Sequence, residues 1–229
     1  NLLYGSLNFE DQREGRGFSK TINNLNIGLS IKNLKKASFV AHGNLLPSGE
    51  TPSRIIIEGD YNFSPAELLA KLNLVNINLS EAGPYLNVLP FSISSGRIDN
   101  TDLAVKFVNK ALEIGGAAHL KGIEAKREAA CLNADIDIFP RISYAADINK
   151  FSYSLGFSFN DATLKGIRYI GSATDITGRL ELSKDLLKAE ALEFRALDST
   201  FQLNGSLKNF SDPYLTLTLE SPDLGLDKA

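Results

Sequence analysis

The chain of 229 residues contains no methionine, no tryptophan, one cysteine and two histidines. A single cysteine excludes an internal disulfide framework and a cysteine-based zinc cluster. The histidines, His42 and His119, are far apart, and neither has a partner at metal-ligand spacing. Positive charge is not in excess: 24 Lys and Arg stand against 27 Asp and Glu, a formal net charge of −3. That balance lacks the basic footprint of a nucleic-acid binder, so no nucleic acid is expected among the partners. No apolar run approaches the ~20 residues needed to span a bilayer as a helix; Ile55-Ile56-Ile57 is typical of those present. The chain opens Asn1-Leu2-Leu3-Tyr4, without Met and without a basic region leading into an apolar one. It reads as an excised portion of a longer protein, with any membrane anchor outside it. With 43% hydrophobic and 22% charged residues, bulk disorder is excluded.

Catalytic signatures are equally scarce. Gly115-Gly116 does not extend to a phosphate-binding Gly-Lys-Ser/Thr loop. Asp135 and Asp137 share one side of an alternating run. Paired carboxylates would suit acid–base work, but Asp is also common on the wet face of a strand. Cys131, in Ala129-Ala130-Cys131-Leu132, is expected to be a buried, inert thiol, since no His or Lys close in sequence lowers its pKa. The expectation is a protein that is not an enzyme, with no cofactor, no metal and no catalytic residue.

What is abundant is alternation with period two. Leu25, Ile27, Leu29 and Ile31 alternate with Asn26, Gly28 and Ser30, and Leu132, Ala134, Ile136 and Ile138 with Asn133, Asp135 and Asp137. Phe151, Tyr153, Leu155, Phe157 and Phe159 alternate with Ser152, Ser154, Gly156 and Ser158, and Leu215, Leu217 and Leu219 with Thr216 and Thr218. Successive strand side chains point to opposite faces, so each run has one greasy and one wet face. Such half-buried strands belong to antiparallel sheets. Weaker runs, among them Leu103-Val105-Phe107 and Ile142-Tyr144-Ala146-Ile148, bring the expected total to about fifteen strands. In Leu72, Leu74, Val75, Ile77, Leu79 the parity changes at Val75, and a bulge there would return the apolar side chains to one face. Turns are expected at Asn204-Gly205, Pro47-Ser48-Gly49 and Ser95-Gly96. The mixed-sign runs Glu10 to Glu14 and Glu124 to Glu128 read as solvated loops or strand edges. Two short helices are expected: one from the capping-box pattern Ser64-Pro65-Ala66-Glu67, and one within Glu81 to Leu89.

The C-terminal half has a further texture. A strand from Leu180 is followed by Gly205-Ser206-Leu207-Lys208-Asn209-Phe210, then Pro213-Tyr214-Leu215-Thr216-Leu217-Thr218-Leu219, and the segment closes on Leu224-Gly225-Leu226-Asp227. Earlier, Asn78-Leu79-Ser80-Glu81-Ala82-Gly83-Pro84-Tyr85-Leu86 precedes a strand opening Ser95-Gly96-Arg97-Ile98. Over most of 55–229 this resembles the AsmA-like family, which includes TamB-type envelope proteins of diderm bacteria. The resemblance implies a fold: mainly β, a long curved antiparallel sheet folded over on itself into a β-taco-like groove, with one or two short helices. Residues 1–229 would form a single elongated domain, the periplasmic portion of a protein tethered at the inner membrane. It implies phospholipid or fatty acyl chains as cargo, other envelope proteins as partners, and a role in lipid transport between membranes or outer-membrane biogenesis. It supplies no catalytic residues.

The alternating runs give this expectation its residues. The proposed apolar wall consists of Phe151, Tyr153, Leu155, Phe157 and Phe159, with Leu215, Leu217, Leu219, Leu25, Ile27, Leu29 and Ile31. The same side chains would equally fill a closed β-sandwich. Two other functions fit the composition: a structural or chaperone-like scaffold for outer-membrane protein assembly through strand pairing, and an unrelated β-sandwich adhesion module.

Overall fold

The computed structural model describes residues 1–11, 18–32, 35–45, 52–79, 86 and 91–222. They form one 13-stranded antiparallel sheet in which spatial order equals sequence order, β1 to β13. The strands are β1 (Leu2–Asp11), β2 (Phe18–Lys32), β3 (Lys36–Leu45), β4 (Ser53–Phe63), β5 (Ala66–Asn78), β6 (Ser92–Val108) and β7 (Ala111–Arg127). They continue with β8 (Ala130–Ala145), β9 (Lys150–Ile167), β10 (Gly171–Ser183), β11 (Leu186–Ala196), β12 (Ser199–Lys208) and β13 (Tyr214–Glu220). Every strand is a hairpin partner of the next, so the sheet grows by local pairing alone.

Several expectations are corrected, among them the turns at Asn204-Gly205 and Ser95-Gly96, which lie inside β12 and β6. The sheet is neither closed nor folded over on itself into a groove: it is open, with β1 and β13 as its two unjoined edges, and substantial packing occurs only between neighbours in sequence. Each described strand pairs with the next in sequence, so none is carried over to a second layer. Nor is there a helix at Ser64-Pro65-Ala66-Glu67. Ser64 and Pro65 form the turn between β4 and β5, and Ala66 already pairs with Phe63. Leu68-Leu69-Ala70-Lys71 reads as helical in isolation, but strands on both sides claim its backbone. Of the second expected helix only Leu86 is described; the rest of Glu81 to Leu89, like Pro47-Ser48-Gly49, most of Glu10 to Glu14, and Leu224 to Asp227, lies outside the described residues. Thirteen strands replace the expected fifteen partly because Leu132–Ile138 and Ile142–Tyr144 are parts of one strand, β8.

At ~4.8 Å per strand the sheet runs about 60 Å along its stacking direction. Strands β6 to β9 are the longest, with 17, 17, 16 and 18 residues. Their central packing contains most of the core: Leu79, Ile123, Ala134, Ile136 and Ala162 are buried together, with Ile98, Leu120, Ile138 and Phe157 against them. A line of bulges crosses the sheet, marked by Tyr4 in β1, Asn24 in β2, Gly122 in β7, Asp161 in β9, Asp175 in β10 and Ala191 in β11, all with positive φ, and by register shifts between the paired strands. Asn76 in β5 has φ 55°, next to the Val75 parity change, and returns Ile77 to the face of Ile98. Bulges of this kind resynchronise the alternation and concentrate twist locally. Thr101, 2% exposed, completes the junction: its Oγ1 accepts from the Leu74 N–H and donates to the Leu72 carbonyl.

A candidate functional face

Paired residues of an antiparallel sheet share a face, so the register can be followed from strand to strand. Starting at Leu29, one row runs through Phe39, Gly59, Ala70, Val105, Ile114 and Ile142 to Tyr153. A second starts at Ala118 and runs through Ile138, Phe157, Leu180, Ala189 and Gly205 to Leu217. Adjacent rows carry Ile27, Ala41, Ile57 and Leu72, then Leu155, Leu182, Leu187, Leu207 and Leu215. These rows place all twelve residues of the expected wall on a single face, through odd positions of β2, β9 and β13 that sequence alone could not align.

The face is open. Leu29 and Ile31 are each 58% exposed, and Phe151 57%. Leu215, Leu217 and Leu219 are also exposed; Leu25, Ile27, Tyr153, Leu155, Phe157 and Phe159 are half-buried by their neighbours in the sheet. Among the described residues, the rows from β3 to β13 carry no charged side chain away from the strand ends. The chain exposes 15130 Å² in total. A compact monomer of 24.9 kDa exposes roughly 10,200 Å². The excess fits the single layer that the described strands form, with Leu86 packed against its central core.

The other face is wet and cross-linked by polar pairs. Asn100, His119, Asp137, Ser158 and Arg179 form a row across β6 to β10. His119 Nδ1 lies 2.5 Å from Asp137 Oδ1. The ammonium of Lys121 lies 2.8 Å from Asp99 and that of Lys36 2.9 Å from Asp60. The hydrogen bond from Lys121 holds the Asp99 carboxyl below its ordinary pKa, against the opposing effect of desolvation. Lys126 likewise lowers Glu124 and is itself raised, and Lys188 and Glu190 do the same for each other. The run Glu124 to Arg127 is therefore not a loop but part of β7. Asp135 accepts from the Gly122 N–H, so it serves a bulge. Cys131 is not buried as expected: it is half-exposed on this polar face, paired across the ladder with Lys126 on one side and Lys165 on the other. Sequence reasoning missed these lysines because they are its neighbours only through the register.

No cluster of three or more His, Cys, Asp or Glu suited to a metal occurs among the described residues. Hollows on the polar face are shallow. One of about 330 Å³ is bounded by Phe139, Arg141, Ser154, Arg179, Glu181 and Glu190, with the Ser154 hydroxyl donating to Glu181. No family model, no curated protein and no solved structure matches the chain.

Proposed function

We propose that the chain is a non-enzymatic lipid-carrying sheet whose apolar face accepts the acyl chains of phospholipids. In this reading it works in the periplasm as a segment of a longer protein tethered at the inner membrane, as the AsmA-like resemblance implies. The observation that carries it is the apolar face of the described strands, without charge from β3 to β13 away from the strand ends and exposed at Leu29, Ile31, Phe151 and Leu215, Leu217 and Leu219. An acyl chain of about a dozen methylenes costs ~10 kcal/mol to expose to water. A surface as oily as the bilayer removes most of that cost and adds no polar anchor to trap the lipid. A protein partner is a poorer fit. Protein interfaces carry about one hydrogen bond per 100–200 Å², and this face offers little beyond the Tyr61, Tyr144 and Tyr153 hydroxyls.

Lipid extraction of the purified chain, followed by displacement of a fluorescent fatty acid, tests this. Phe151→Asp charges an exposed position of the apolar face and is expected to stay folded while acyl binding weakens several-fold. Ser152→Asp, its neighbour on the polar face, leaves binding unchanged. A chain that neither co-purifies with lipid nor binds the probe would overturn the reading, as would equal losses from the two variants.

A further inference from the structure

Six hairpin turns line one rim of the sheet, joining β2 to β3, β4 to β5, β6 to β7, β8 to β9, β10 to β11 and β12 to β13. Of these turns only residues 33 and 34 lie outside the described residues. Neighbouring turns are bonded in pairs. The Phe63 N–H donates to the Lys35 carbonyl at 2.8 Å, the Ala146 N–H to that of Lys110 at 3.0 Å, and the Asn209 N–H to that of Asp185 at 2.9 Å. Counted with one flanking residue on each side, the six turns carry seven lysines, among them Lys35, Lys110, Lys150 and Lys184, against Asp147, Asp185 and Asp212. Of the seven, Lys36 is paired with Asp60. The six connections at the opposite rim, counted the same way, carry no lysine, and six acidic residues stand against four arginines. Just inside the lysines, on the apolar face, the register sets Tyr61, Leu68, Phe107, Leu112, Tyr144 and Phe151 in one row. Phe107, Tyr144 and Phe151 are exposed, as are Phe63 and Ile148 at the rim itself. From this arrangement we infer that the lysine rim docks the sheet on an anionic phospholipid bilayer, turns first.

Two chemistries meet at this rim, and a bilayer surface satisfies both. Aromatic rings with one polar end settle at the level of the headgroups, and a lysine beside an anionic surface adds about fivefold in affinity. Either signal alone binds weakly; the two together anchor. A soluble acidic protein would meet the lysines and leave the exposed aromatics wet. The opposite rim lacks the combination: Tyr169 and Leu197 are exposed there singly, the first under the Arg168 guanidinium. The apolar face is polarised in the same sense. Its buried core, Leu79, Ile123, Ala134, Ile136 and Ala162 with Leu86 packed on it, lies toward the opposite rim, and the aromatic row lies toward the lysines. Docked by its lysines, the sheet presents that row to the bilayer as the port through which acyl chains pass onto the face, a role that rests on the lipid reading. Further strands at either edge of the sheet would lengthen this rim and would not cover it.

Flotation with vesicles of equal parts phosphatidylglycerol and phosphatidylcholine tests the docking. Binding is expected, weakening as salt is added and falling away on pure phosphatidylcholine. Lys110→Gln with Lys150→Gln removes two exposed rim lysines and should weaken vesicle binding at least about tenfold. Arg127→Gln with Arg168→Gln removes the same charge from exposed positions at the opposite rim and should leave it unchanged. A polarity-sensitive fluorophore at Ile148→Cys, in a Cys131→Ser background, should shift to the blue on vesicles, and one at Leu197→Cys should not. Displacement of a fluorescent fatty acid in the absence of vesicles reports on the apolar face separately, and the lysine variant is expected to retain it. A chain that ignores anionic vesicles overturns the docking. So do equal losses from the two double variants, or a blue shift at Leu197 matching that at Ile148. Fatty-acid binding without vesicle binding removes the docking and leaves the lipid reading; vesicle binding without fatty-acid binding keeps the rim and removes the lipid reading.

Discussion

Gly116 shows how tightly single residues are specified where strands cross the core. Its φ is +140°, and a Cβ built on it would lie 2.0 Å from the Asp102 carbonyl oxygen on β6. Gly122, one turn of the ladder away, has φ +60° with nothing within 4 Å of the same atom. Both positions disfavour a side chain, but for different reasons. Gly116→Ala meets backbone strain and a clash that only strand separation relieves, and should cost about 3 kcal/mol or more. Gly122→Ala meets only the left-handed penalty of ~1–2 kcal/mol. Urea midpoints of the two variants check the order, and a Gly116→Ala chain as stable as Gly122→Ala would show that the β6–β7 ladder yields there. The residue scale is also where sequence reading fell short. The Gly115-Gly116 pair is visible as a motif, yet its meaning, close approach of a neighbouring backbone, depends on a register that no local pattern contains. For Cys131 the same gap concealed Lys126 and Lys165.

At the scale of the strand, alternation was fully legible. Leu25–Ile31, Leu132–Ile138, Phe151–Phe159 and Leu215–Leu219 all lie in strands with their apolar side chains on one face. Even the parity change at Val75 pointed to a real irregularity at Asn76. What failed was the capping-box segment at Ser64, where local propensity competed with two flanking strands and lost. Elements are then tied together on the wet face by pairs such as Asp99–Lys121, between β6 and β7. The folded Asp99 pKa is depressed, so the pair's contribution is present above the ordinary Asp value and is lost as pH falls through the folded value. Lys121→Ala should therefore destabilise the sheet at pH 7, and the difference should shrink as the pH falls below the ordinary Asp value and acid titrates Asp99 through its lowered pKa. Urea denaturation over a pH series measures this. A stability loss that persists in acid would mean that Lys121 acts through its packed methylenes and not through its charge.

For the whole molecule, the single layer formed by the described strands has a thermodynamic consequence. Among the described residues, strands pack chiefly on their neighbours in sequence, so stability is close to a sum of nearest-neighbour terms, as in repeat arrays. Those terms are unequal. β7, β8 and β9 are long and enclose Ile123, Ala134, Ile136 and Ala162, whereas β13 is seven exposed residues on one partner. Opening should therefore proceed from the edges inward, with local free energies that rise toward the centre. Hydrogen exchange followed by mass spectrometry is expected to show the strongest protection in β7 to β9 and a graded decline to both edges. Uniform protection over all strands would instead reveal a cooperativity that nearest-neighbour ladders cannot supply, and would require a contact across the sheet that the meander does not make.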